Sequence, residues 1–181
     1  MSILVSFAPF IVFAVLVHFG LTVAGLWTAA AVSAAMIVRD SLLKRKSPKI
    51  LEVGTVVLFG GLAIFTTVTA HEWTIPLVRL VVDCGLFVIV AISIAIGQPF
   101  TIQYAKETVP RALWSNPEFL RVNYKISGVW ALAFAVCAIA DLIMGFVTAV
   151  PHWVGVAVTV AALVSAFKYT ESHSKGRSEP A

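Results

Sequence analysis

Three ionisable side chains, Arg79, Asp83 and Asp141, stand within otherwise apolar stretches. Arg79 and Asp83 are spaced i, i+4, which places them on one helix face where they can pair. Counted from the ends of their helices at about 1.5 Å per residue, Arg79 lies about 3 Å deep, Asp83 about 9 Å and Asp141 about 13 Å. A charge at membrane depth is costly and marks a functional site by default. The chemistry would be that of a polar cavity for a proton or a small solute. In the structural alternative, Arg79 snorkels to the interface and neutralises Asp83, while Asp141 is protonated or bonded to a neighbouring helix. A pore or carrier usually shows more polar lining than this, which favours the structural alternative.

A second set lies in the longest polar interruption of the chain, residues 97–125. Gln98, Tyr104, Lys106, Arg111, Trp114 and Arg121 interleave aromatic and basic side chains there. That mixture suits binding to anionic lipid headgroups or docking of a partner protein. Trp114 and Tyr104 read as plain interfacial anchors in the simpler account. A loop this long in so compact a chain favours interaction.

Other reactive residue types carry less. His18, His71 and His152 each sit near an aromatic residue in a turn, and Glu72 adds a carboxylate. No two histidines have i, i+4 spacing, so a metal site is not expected, and no cofactor is implied. Cys84 and Cys137 lie in apolar runs without CxxC spacing and read as packing residues. No Ser/His/Asp set, HExxH or phosphate-cradling glycine loop is present, so the expectation is a non-enzyme.

The elements that must position these residues are membrane helices. With 181 residues, 60% hydrophobic content and a mean hydropathy of +0.96, the chain lies outside the soluble range. Strand-period alternation is absent, which excludes a transmembrane barrel. Residues 3–38 hold no formal charge and suit two short helices meeting near His18, Phe19 and Gly20. The second is expected to end at Arg39 and Asp40. Further helices are predicted at about 50–70, 77–96, 117–149 and 154–169, with Ser47-Pro48 and Asn116-Pro117 as helix starts. Small residues at 25, 29, 30, 34, 60, 61, 128, 131 and 135 would let helices approach closely. They would also suit a homo-oligomer face, with internal packing the default.

The prediction is thus an all-α, polytopic membrane bundle of six transmembrane helices over residues 1–169. The alternative is five helices plus a re-entrant or interfacial N-terminal helix. Residues 170–181 are expected to be a disordered tail. Twelve of the 13 Lys and Arg residues fall on one side of this layout, with Arg79 the exception. The positive-inside rule makes that side, and the C-terminus, cytoplasmic. The +4 formal charge is then an orientation signal and not a nucleic-acid footprint; membrane lipids are the expected partners.

Several stretches resemble the bacterial intracellular septation protein A family of inner membrane-spanning proteins. They are FAPFIVF at 7–13, the basic stretch after the second helix, LFGGLAIF at 58–65, QPFTIQYAKETVPRALW at 98–114 and NYKISGVWALAF at 123–134. The resemblance implies an inner-membrane protein of cell-envelope biogenesis or septation, with envelope or division proteins as partners. It supplies no catalytic residues.

Overall fold

The computed structural model describes residues 3–44, 47–147 and 151–175. Its helices are α1 (Ile3–Ser6), α2 (Ala8–His18), α3 (Thr22–Lys44), α4 (Ile50–Thr69), α5 (Ile75–Ala95), α6 (Phe100–Ala105), α7 (Pro117–Phe146) and α8 (His152–Lys175). A 3-10 turn, Arg111–Leu113, lies between α6 and α7. There is no strand among the described residues. Among the described residues, five helices are long and apolar enough to cross a membrane: Thr22–Leu42, Ile50–Thr69, Ile75–Ala95, Pro117–Phe146 and Trp153–His173.

The N-terminal segment is short and broken. Phe7 separates α1 from α2, and Pro9 sits in the first turn of α2, where its missing N–H costs nothing. Phe7 stacks on Trp130 of α7 at 4.7 Å, while Phe10 and Phe13 each meet Phe59 of α4 at 5.1 Å. The segment is therefore held inside the bundle by aromatic packing. Gly20, with φ of +76°, turns the chain from α2 into α3.

The long helices pack as a row: α2 on α3, α3 on α4, α4 on α5, α5 on α7 and α7 on α8. Glycines set the close contacts. A Cβ at Gly54 would meet Ile89 at 2.8 Å, and one at Gly85 would run into Leu58, so α4 and α5 approach through both. Gly155 on α8 does the same against Met144 on α7. Gly60, Gly61 and Gly128 face open space, so those three do not mediate the packing that their composition suggests. Large apolar side chains such as Val57, Val68, Leu132, Ile139 and Phe146 cover the outside, the belt that lipid contact requires.

Two boundaries differ from expectation for identifiable reasons. Ser47 and Pro48 do not open α4; Lys49 stands at the N-cap without a side-chain cap bond. The Ile50 amide instead donates to Gln103 Oε1 of α6 at 2.7 Å, so the cap comes from another element. Helix α3 continues past Asp40 to Lys44, and α8 continues past Tyr169 to Lys175. Thr170, assigned to a disordered tail by composition, accepts a hydrogen bond from Trp130 Nε1 at 3.0 Å. The tail beyond Lys175 lies outside the described residues. At Asn116-Pro117 the expected start forms: the Asn116 side chain accepts from the Glu118 amide at 2.8 Å.

Candidate functional site: a charged cavity within the bundle

Helices α2, α5, α7 and α8 line a half-open cavity of ≈ 480 Å³. Its walls include Phe7, Phe10 and Phe13 from the N-terminal segment, Phe134 from α7, and Val156, Val160 and Leu163 from α8. His18, Phe19 and Ile75 also line it, which places it toward the bundle end formed by the α2–α3 and α4–α5 turns. The basic loops occupy the opposite end. Arg79, Asp83 and Thr159 are polar members of the wall.

Arg79 and Asp83 share the cavity-facing side of α5, as their spacing requires. The guanidinium, however, reaches across to two other helices. Its Nη2 lies 3.4 Å from Asp141 Oδ1 on α7 and donates to Thr159 Oγ1 on α8 at 3.1 Å. No ion pair joins Arg79 to Asp83 among the described residues, so the expected i, i+4 pair is replaced by an interhelical one. Asp141 is fully buried and neither of its oxygens has an aligned hydrogen bond. The Asp83 carboxyl adjoins it. One guanidinium and two carboxyls thus converge from α5 and α7 at the polar edge of an aromatic cavity. Thr159 belongs to this group but gives no sequence signal, because a lone threonine in an apolar helix usually bonds its own backbone.

A second cluster of charges lies at the basic end. Lys49 Nζ is 2.9 Å from Glu107, 3.6 Å from Glu52 and 3.8 Å from Asp40. Lys49, Glu52 and Asp40 are all buried. The contacts are ion pairs by distance, and Nζ has no aligned hydrogen bond. The ammonium also sits 4.5 Å above the Tyr104 ring. Both Glu52 carboxylate oxygens are buried without hydrogen-bond partners. Glu52 is a charge two residues into an apolar helix, and that position alone could have flagged it.

Residues 97–125 divide into two unlike parts. The first half turns inward as α6, where Phe100, Thr101, Ile102 and Tyr104 are buried. Thr101 Oγ1 donates to the Asn123 carbonyl at 2.9 Å and lies 2.8 Å from Ser127 Oγ, which fixes α6 against α7. Tyr104 is therefore a core residue and not a headgroup anchor. Burial pushes its phenol above the ordinary value, and the Ser6 hydroxyl beside it opposes that shift. The second half is a surface feature. Lys106 and Arg111 both lie over the Trp114 ring, at 5.1 and 5.5 Å, and the indole Nε1 donates to the Val109 carbonyl at 3.0 Å. Arg121 and Gln98 are exposed.

The outer turns hold ring contacts. His71 meets Trp73 edge-on at 4.6 Å, and His18 meets Phe19 at 5.6 Å. The side chain of His152 is outside the described residues. No three His, Cys, Asp or Glu side chains gather as a metal-binding group among the described residues. No family model, curated protein or solved structure matches the chain, and its site is read on geometry.

Proposed function

We propose that this chain is a small, non-enzymatic membrane carrier that holds a small amphipathic molecule in the cavity at Arg79, Asp83 and Asp141. The observation that carries this reading is the cavity itself. One guanidinium and one carboxyl, Arg79 and Asp83, stand on the wall of a ≈ 480 Å³ space with Asp141 buried beside them, and the volume lies within the range of about 300–1,000 Å³ typical of small-molecule sites. Purely structural charges do not call for a cavity beside them. The basic loops orient the protein in a bacterial cytoplasmic membrane with both termini inside, so the cavity faces outward.

The test is a thermal-unfolding screen of the purified protein against cationic, anionic and neutral amphiphiles of matched size. A molecule that binds only the folded state raises its stability. One charge class should raise the unfolding temperature, and Asp83→Asn or Arg79→Gln should remove that effect. No stabilisation by any class would sink the carrier reading.

The surface half of the 97–125 segment favours a second reading. Lys106 and Arg111 on Trp114, with Arg121 nearby in sequence, make an exposed basic and aromatic face. Such a face suits anionic lipid or a partner of the envelope or division machinery, the setting implied by the resemblance to septation proteins. A combined Arg111, Trp114 and Arg121 replacement should abolish that role with insertion intact; unchanged complementation would reject it.

A further inference from the structure

We propose that the occupant of the cavity is a monovalent lipophilic cation, with Asp83 as its counter-ion. This rests on the carrier reading above and names the ligand's chemistry.

Charge is the first argument. The Arg79 guanidinium is engaged by Asp141 at 3.4 Å and Thr159 at 3.1 Å. Asp83 lines the cavity and makes no ion pair with Arg79 among the described residues. On the cavity wall itself stand Arg79 and Asp83, with Asp141 buried beside them. The Asp83 and Asp141 carboxyls adjoin each other within hydrogen-bonding reach, so they share a proton, and a cation would take the place of that proton, which leaves to water. A bound anion would face the Asp83 carboxyl. It would also have to draw the guanidinium away from Asp141, a fully buried carboxyl that could not recover its hydration.

The wall is the second argument. Phe7, Phe10, Phe13, Phe19 and Phe134 surround the space, and the faces of aromatic rings attract cations, the more so where water is excluded. A bare metal ion is a poor fit, because hard cations need several oxygen ligands and this wall is almost wholly hydrocarbon. An organic ammonium or phosphonium with aromatic or branched substituents matches both the rings and the single counter-charge.

The site also predicts a pH response. The titratable and charged groups around Asp83 are Arg79 and Cys84 on its own helix and Asp141 and Cys137 on α7, while Thr159 on α8 and His18 on α2 line the same cavity. A proton and the ligand compete for the same carboxyl, so binding weakens as pH falls. Asp83→Asn should lose the pH response.

Binding of tetraphenylphosphonium to the protein in lipid nanodiscs, compared with tetraphenylborate of the same shape and opposite charge, tests this directly. The expected result is saturable phosphonium binding. It should be about tenfold or more weaker in Asp83→Asn, largely kept in Asp83→Glu and reduced on acidification. Binding of the borate instead, lost in Arg79→Gln, would overturn the cation inference and leave the carrier reading standing. Phosphonium binding unchanged in Asp83→Asn would also overturn it, since the carboxyl would then not be read. If neither ion binds and no amphiphile stabilises the fold, both readings fail together. Should Asp83→Asn not fold, the preference of the unmodified protein between the two ions still decides the matter.

Discussion

Lys49 is 4% exposed, with three carboxylates within 4 Å of its ammonium. Removing one partner of a buried ionic group leaves the others uncompensated, at a cost of about 3–5 kcal/mol. Lys49→Met should therefore lower stability by about that amount, measured as loss of helical signal on heating in detergent. A change smaller than about 0.5 kcal/mol would show the cluster to be energetically idle. Tyr104 gives a separate forecast. Its phenol is raised above the ordinary 10.0 by burial, so the folded chain holds that proton more tightly than the unfolded one. The linked stability is present in full below about pH 10 and is lost as pH rises toward the folded value. Tyr104→Phe keeps a ring beneath Lys49 and deletes a buried hydroxyl that adjoins the Ser6 hydroxyl without an aligned hydrogen bond. It should be near neutral at pH 7 and lose less stability than the parent protein in alkali. An identical alkaline profile in the two proteins would contradict this.

Among the elements, α7 and α8 are tied by the Trp130 to Thr170 hydrogen bond as well as by the close approach at Gly155. Trp130→Phe retains a ring against Phe7 and removes the donor, so the expected loss is about 1 kcal/mol. Thr170→Val should cost a similar amount, and the double variant no more than either single one. Additive losses would show that the bond contributes nothing. The long helices were legible in the sequence because apolar runs of about 20 residues are bounded by proline, glycine and charge. Helix α6 was not legible. It is six residues long, too short to be stable alone, and exists because Thr101 bonds Asn123 and Ser127 on α7, the Phe100 amide donates to Ser93 on α5 and Gln103 accepts from Ile50 of α4. The same limit hid the Lys49 cluster, whose carboxylates come from positions 40, 52 and 107. The Arg79, Asp83 and Asp141 convergence was readable because depth can be counted along a helix. Which carboxyl would take the arginine was not, since that depends on how α5 and α7 face each other.

For the molecule as a whole, a carrier role requires the cavity to open at the end away from the basic loops. The most direct test places single cysteines at Val160, on the cavity wall, and at Ala112, in the exposed basic loop, with Cys84 and Cys137 replaced by alanine. A membrane-impermeant maleimide is then added to intact cells. Position 160 should be labelled from outside, because such a reagent reacts only where water reaches, and a saturating cavity ligand should slow that labelling. Position 112 should react only after the membrane is permeabilised. Protection of position 160 from both sides would mean that the space is closed and the buried charges are structural, and labelling of position 112 in intact cells would invert the orientation.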